Sequence, residues 1–251
     1  MKLTVLGSGT LIPFPNRGNS GYFLQTDNHN ILIDGGSGAL RQMATLGLDY
    51  RTIDVITYTH LHPDHTLDMI PLLFTFKHDS RVTIPRSLKI MGPPGFKSYF
   101  QKLMDIYGDW VMPVGLDIEI QEVLRENVVL EELEIACGHS EHTEHSVTYR
   151  FTAPGGEDIF YSGDTGKSRE LIENAKDVSV LILECSFPDD DRHEKHLTPT
   201  LCGEIASECR CKRLILTHFY PEVLETDIVT VVSRFFNGTI DLAYDGMEVE
   251  I

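Results

Sequence analysis

Thr59-His60-Leu61-His62-Pro63-Asp64-His65 is the stretch that decides how the chain is read. It follows Ile53-Asp54-Val55-Ile56-Thr57-Tyr58, a short β-branched, apolar run with the character of a buried strand. Behind it, Leu67-Asp68-Met69-Ile70-Pro71-Leu72-Leu73 reads as the first turns of a helix despite Pro71, and Thr66 to Phe76 is expected to be helical. Four metal-capable side chains thus fall within six residues, at a strand-to-helix junction. Ligands of open α/β sheets gather there, outside the carboxyl ends of strands. A regular strand alternates its faces and cannot aim all four at one point. A tight loop with two donors before Pro63 and two after it can feed two adjacent metal ions. A chance surface cluster of histidines is the competing reading, and the buried strand in front of the motif makes it the weaker one.

Length and charge bound the rest. A chain of 251 residues, 41% hydrophobic and 24% charged, has ordinary globular composition. One domain spanning 1–251 is expected, with a core large enough to need no disulfide staples. Met1-Lys2-Leu3-Thr4-Val5-Leu6-Gly7 runs into a strand and a glycine turn rather than a signal-peptide layout. No apolar run approaches a membrane span, so a soluble, cytoplasmic protein is expected. The five cysteines (Cys137, Cys185, Cys202, Cys209, Cys211) show no framework spacing, which fits a reducing compartment. Cys209-Arg210-Cys211 ends a helical stretch and has no second cysteine pair, so it is not read as a zinc site. With 21 basic against 38 acidic residues the net charge is −17, which offers no global attraction to a polynucleotide. Any local basic patch aside, that balance favours a small substrate.

Taken in order, Lys2 to Leu6 reads as a strand closed by Gly7-Ser8-Gly9-Thr10, and Leu11 to Ser20 as a loop. The Gly-x-Gly pair lacks the third glycine and the following helix of a dinucleotide fingerprint. Gly21 to Thr26 and Asn30 to Asp34 alternate as a hairpin around Asp27-Asn28-His29, with His29 expected to be solvated. Asp34 has two readings, a carboxylate behind the metal ligands or a plain turn residue. Ala39 to Leu46 and Phe96 to Tyr107 read as helices, Leu88 to Met91 as a strand, and Lys77 to Pro85 as a polar connection with His78 at the surface. Asp117 to Val123 and Val128 to Cys137 alternate as strands expected in a second sheet. Val178 to Glu184 is a buried apolar strand, and Thr239 to Ala243 and Met247 to Ile251 are terminal strands. One internal echo stands out: Ile56-Thr57-Tyr58-Thr59-His60 and Leu214-Ile215-Leu216-Thr217-His218 both end an apolar strand in Thr-His.

The histidine motif resembles that of the metallo-β-lactamase superfamily of hydrolases, and later motifs of that family follow in order along essentially the whole chain. The resemblance implies a four-layered αβ/βα sandwich, two mixed sheets flanked by helices, with a dinuclear metal site along one edge. Gly138-His139-Ser140-Glu141-His142-Thr143-Glu144-His145 offers three histidines between two strands. Related hydrolases place the third ligand of the first metal seven residues before the tyrosine of a Tyr-Arg-hydrophobic strand. Here that tyrosine is Tyr149, which makes His142 the favoured ligand over His145 and His139, both expected at the pocket rim. Asp164, ending Tyr161-Ser162-Gly163-Asp164, takes the family position of the carboxylate that bridges the metals, although Gly-Asp is also a common turn. His196-Leu197-Thr198-Pro199, with Pro199 at a helix start, and Thr217-His218-Phe219-Tyr220-Pro221 resemble the ribonuclease Z and arylsulfatase-like branch. In that branch a histidine that is not a ligand approaches the scissile phosphate.

The implied set is therefore His60, His62 and His142 on one metal, Asp64, His65 and His218 on the other, and Asp164 between them. Two divalent ions are implied. Imidazole with carboxylate suits zinc, manganese and iron also fit the mixed set, and the absence of thiolates argues against a structural zinc. The nucleophile implied is a metal-bridging hydroxide. Asp64, His196 and Glu184 are the expected catalytic groups, with His196 oriented by Glu184 to protonate the leaving oxygen or stabilise charge. The expected activity is phosphodiester hydrolysis on a small anionic ester. Its rivals are a ribonuclease Z-type tRNA 3′-end nuclease, a glyoxalase II-like thioesterase and a non-catalytic metal sensor or carrier. The long glycine- and proline-rich arm of ribonuclease Z enzymes is not found, and no helical C-terminal domain of the thioesterase kind follows. No membrane partner is expected, and a homodimer remains among the expectations.

Overall fold

The apolar runs pair into two sheets of the same construction. In the computed structural model, which describes residues 1–84 and 86–251, the first sheet contains β1 (Lys2–Gly7), β2 (Gly21–Gln25), β3 (Asn30–Gly35), β4 (Val55–Thr57), β5 (Arg86–Gly92) and β6 (Leu116–Glu122). The second contains β7 (Glu126–Leu130), β8 (Leu133–His139), β9 (Val147–Thr152), β10 (Asp158–Tyr161), β11 (Val180–Glu184), β12 (Arg213–Thr217) and β13 (Thr239–Leu242). The last strand, β14 (Glu248–Glu250), returns to the first sheet beside β1. The orders are β14-β1-β2-β3-β4-β5-β6 and β13-β12-β11-β10-β9-β8-β7. Each sheet runs antiparallel through its first pairings and parallel from β3 to β6 or from β10 to β13.

Period-two alternation then sorts the side chains into layers. On β11, Val180 and Ile182 face inward with Tyr149, Tyr161 and Ile215 against Leu3, Tyr22 and Ile33 of the first sheet. Leu181 and Leu183 face outward onto α5 (Arg169–Asn174), α6 (Pro199–Cys209) and α7 (Ile228–Val232), through Leu171, Cys202, Ile205 and Val232. On the other outer face, Phe23, Leu32 and Ile56 meet Met43, Leu72, Phe76 and Phe96. Those come from α1 (Ala39–Thr45), α3 (Met69–His78) and α4 (Phe96–Tyr107). The short α2 (Pro63–Thr66) opens with Pro63 at its first position. The four-layered αβ/βα sandwich with two mixed sheets is the architecture observed. β11 is buried at every position, as expected of a parallel strand covered on both faces.

Several local expectations need correction. Leu116–Glu122 pairs parallel with β5 and belongs to the first sheet, not the second. Its alternation reports one covered and one exposed face, and it carries no information about which sheet supplies the neighbour. Val128 to Cys137 is not one strand but the β7–β8 hairpin, turned at Glu131 with φ 53°. The helix expected from Thr66 breaks at Leu67-Asp68, and Pro71 is tolerated as the third residue of α3. His29 is not freely solvated, because its Nδ1 meets Asp54 at 3.0 Å. Cys209 and Cys211 are buried in the apolar layer under α6. Pro85, the end of the expected polar connection, lies outside the described residues. No helix among the described residues is long and apolar enough to cross a membrane.

Hydrogen bonds stitch the two sheets along one edge. Tyr22 and Thr217 share a bond of 2.7 Å, Tyr149 donates to the Tyr58 carbonyl at 3.1 Å, and Val147 N–H donates to the Thr59 carbonyl at 2.8 Å. At the same edge α2 lies directly on the end of β3. A Cβ on Gly36 would sit 2.1 Å from the Asp64 carbonyl oxygen and 2.6 Å from Asn19 Cβ, so only glycine fits. Gly36→Ala should therefore destabilise the fold by about 1–3 kcal/mol, read as a lower denaturant midpoint at unchanged slope. A midpoint equal to the parent's would show that α2 yields freely.

Candidate metal centre

The stitched edge collects the ends of β3, β4, β10, β11 and β12, and each delivers a polar side chain. Asp34 is the extra residue of a bulge: Gly21 pairs with Gly35 and Tyr22 with Ile33, which leaves Asp34 unpaired with φ 49°. Such bulges re-aim a side chain. Its buried carboxylate accepts from Thr59 N–H at 2.8 Å, Thr59 Oγ1 at 2.9 Å, His65 Nδ1 at 2.8 Å and Tyr161 OH at 3.0 Å. Of its two readings, the carboxylate behind the histidines is the one observed. Thr59 Oγ1, having given its proton to Asp34, accepts from His60 Nδ1 at 3.1 Å. One carboxylate thereby fixes two imidazoles with Nε2 turned inward.

The second sheet repeats the device with Glu184. Its Oε1 accepts from Thr165 N–H at 2.7 Å and His196 Nδ1 at 2.8 Å, and its Oε2 from Leu197 N–H at 3.1 Å and from Ser186 Oγ. Ser186 Oγ accepts in turn from His218 Nδ1 at 3.0 Å. His142 is oriented by the Lys195 carbonyl, 3.3 Å from Nδ1.

Three side-chain groups converge. His60, His62, His142 and Asp164 can present one donor atom each within 4.8 Å of one another, and so can Asp64, His65 and His218. Asp164, His196 and His218 form a third such group. Asp164 divides its oxygens between the first two groups. Oδ2 lies 3.7 Å from His60 Nε2 and 3.8 Å from His142 Nε2, while Oδ1 lies 3.3 Å from His65 Nε2 and 3.4 Å from His218 Nε2. His218 Nε2 is also 3.5 Å from Asp64 Oδ2, and His62 Nδ1 faces His142 Nε2 at 3.1 Å. Metal–ligand bonds of about 2.0–2.2 Å at tetrahedral angles put donor atoms about 3.3–3.6 Å apart, close to this spacing.

The donors also lack other partners. Nε2 of His60, His65 and His218 and Oδ1 of Asp164 are buried without a hydrogen bond among the described residues, a costly state for polar atoms that nothing else engages. Burial above all holds His60 and His142 below the ordinary imidazole pKa, leaving neutral rings of the kind that bind metals. Burial would also lower His65, but Asp164 and Asp34 outweigh it and raise its pKa well above the usual value. Positive charge is favoured at that point, and a bound cation supplies it in place of the proton. The residues present fit divalent metal.

With the geometry in view, residues 29–219 match the beta-lactamase superfamily domain. The chain belongs to that superfamily. An uncharacterized protein of Mycobacterium tuberculosis is 29% identical over 246 residues, covering 96% of this chain and 88% of its own. The ribonuclease Z of Thermobifida fusca is 25% identical over an alignment of 306 positions, covering 100% of this chain and 94% of its own. Among solved structures, the metallo-beta-lactamase fold protein YhfI from Bacillus subtilis superposes with a TM-score of 0.84 at 24% identity, covering 99% of this chain and 98% of that one. The chain is thus a metallo-β-lactamase-fold, metal-dependent hydrolase, with ribonuclease Z among the proteins it is similar to.

Within this superfamily fold, the seven residues expected as ligands stand together at the edge, and His196 stands beside them. His145 is exposed on its loop, His139 reaches toward Glu141 at 3.9 Å, and neither joins the cluster. The exposed His78 ends α3 and does not join the cluster. Sequence reasoning left Asp34 undecided and missed Thr59, Tyr161 and Ser186 as supports. The Thr-His echo was the signal for Thr59, since each Thr-His pair sits beside a carboxylate-bearing strand end. His142→Ala should remove metal, whereas His139→Ala and His145→Ala should retain it, by elemental analysis after desalting. Loss confined to His145→Ala would shift the ligand by three residues. Asp34→Asn should weaken retention about 10–100-fold, the usual effect of deleting a carboxylate behind a ligand histidine.

Proposed function

We propose that this protein is a dinuclear, zinc-type phosphodiesterase acting on a small anionic ester. His60, His62 and His142 would hold one ion, Asp64, His65 and His218 the other, and Asp164 would bridge them through its two oxygens. Bound together, two such ions supply a water-derived nucleophile at neutral pH and stabilise the attacking and leaving oxygens of an in-line displacement.

The observation that carries the reading is His196. Glu184 occupies its Nδ1 at 2.8 Å, so Nε2 is the atom left for the side toward Asp164 and His218. Burial would depress the His196 pKa, but Glu184 overrides it and raises it to about 9; cations in the cluster would oppose that rise. A partly buried imidazole anchored through Nδ1 to a carboxylate, next to the cluster, suits a proton donor to a leaving oxygen. A metal carrier has no use for one. Around it, Phe187 stacks on Tyr220 with ring centres 4.6 Å apart and meets the His196 ring edge-on at 5.4 Å. That aromatic wall would limit water around the donor.

Charge and length support a small substrate. The net charge of −17 repels a polyanion. The ribonuclease Z alignment spans 306 positions against 251 residues here, so about 55 positions of the relative face no residue of this chain. A tRNA 3′-end nuclease is the second reading, favoured by the name of that relative. All five cysteines are free and buried, which supports a reducing, cytoplasmic location.

The expected metal content is two divalent ions per chain. His196→Ala should keep both while kcat on a phosphodiester falls about 10²–10⁴-fold. The loss should be smaller with p-nitrophenolate, which leaves without protonation, than with an alkoxide. Turnover of bis-p-nitrophenyl phosphate measured beside p-nitrophenyl sulfate, a glutathione thioester and a precursor tRNA tests the class. Loss of metal in His196→Ala, or cleavage of the thioester alone, would overturn the assignment.

A further inference from the structure

Glu184 reaches more of the centre than His196. Its Oε1 also receives the amide of Thr165, the residue after Asp164, and its Oε2 receives the hydroxyl proton of Ser186. Ser186 has a single proton. The close contact to Glu184 commits it there, which leaves an oxygen lone pair for His218 Nδ1 at 3.0 Å. The side chain is fully buried, so no water competes for either contact. The His196 and His218 rings lie nearly parallel, 6° apart with centres separated by 6.3 Å.

We infer that Ser186 is a positioning residue that ties the Asp64, His65 and His218 metal position to the carboxylate orienting His196. Through Ser186 the charge of Glu184 holds the proton on His218 Nδ1 and keeps the Nε2 lone pair toward Asp64 and Asp164. Without the hydroxyl, His218 Nδ1 loses its acceptor and its ring loses the reason to hold one tautomer, whereas His60 keeps Thr59 and His142 keeps the Lys195 carbonyl. Ser186 thus has a selective role, supporting one metal position and leaving the other alone. The inference rests on the two-metal reading proposed above.

The test is a zinc competition titration against a chromophoric chelator, run on the full chain without substrate. Ser186→Ala should weaken one of the two zinc equivalents about 10–100-fold and leave the other within threefold. Ser186→Thr, which keeps the hydroxyl, should restore the weakened equivalent. As a second readout, the ¹⁵N spectrum of histidine-labelled, zinc-loaded protein should show the His218 Nδ1–H signal altered in Ser186→Ala and recovered in Ser186→Thr. Equal weakening of both equivalents, or no weakening of either, would overturn the role of Ser186 while leaving the two-metal centre standing. Fewer than two equivalents on the wild-type chain would instead overturn the two-metal reading and this inference with it.

Discussion

A carboxylate is costly to bury inside an apolar sandwich unless hydrogen-bond donors replace its water, and this architecture depends on two that are so satisfied. Asp34 and Glu184 are both buried at strand ends, and each engages four donors. Among the donors are imidazoles of the metal cluster or of its flank. The stability of each carboxylate and the aim of each histidine are therefore one set of bonds. Removing either partner leaves the other buried and unsatisfied, a larger penalty than the bond's net worth. That mutual dependence ties the position of each histidine to the carboxylate behind it.

The two hubs occupy equivalent places. Asp34 lies on β3 beside β4, whose chain continues to Thr59-His60, and Glu184 ends β11 beside β12, whose chain continues to Thr217-His218. Each threonine forms a bond across the sheet interface: Thr59, through its carbonyl, with Val147 N–H, and Thr217 with Tyr22. The Thr-His echo in the sequence was thus the trace of two similar halves. Its five residues could not say so alone, because apolar strands ending in Thr-His carry no record of the neighbouring strand.

Legibility follows from range. The His60 to His65 motif, the helix Phe96 to Tyr107 and the buried run ending at Glu184 are local patterns and were readable from spacing and periodicity. His142 needed the register from Tyr149, because three histidines within one loop are equivalent until the fold points one inward. The strand at Leu116–Glu122 was readable as a strand but not by sheet, since alternation fixes a face and not a neighbour. Ser186 was invisible for a related reason. A serine after a buried strand resembles any turn residue, and only the fold brings His218 to its oxygen.

Backbone strain completes the geometry. Asp34 at φ 49°, Gly163 at φ 56° and His218 at φ 56° all lie in the left-handed region, one at each of three strand ends around the cluster. A strand continued without that bend would carry its next side chain past the cluster instead of into it. Glycine adopts the conformation freely, but Asp34 and His218 each pay about 1–3 kcal/mol for it. At His218 the bend is over-determined. Ser186 Oγ accepts from its ring Nδ1 at 3.0 Å, and the next amide, Phe219 N–H, bonds the Ser8 carbonyl at 3.1 Å. At Asp34 the four donors do the same work. The hydrogen bonds that satisfy the buried carboxylates are thus also what holds these strained strand ends in place, so the edge gains its metal-binding shape from the same contacts that make it stable.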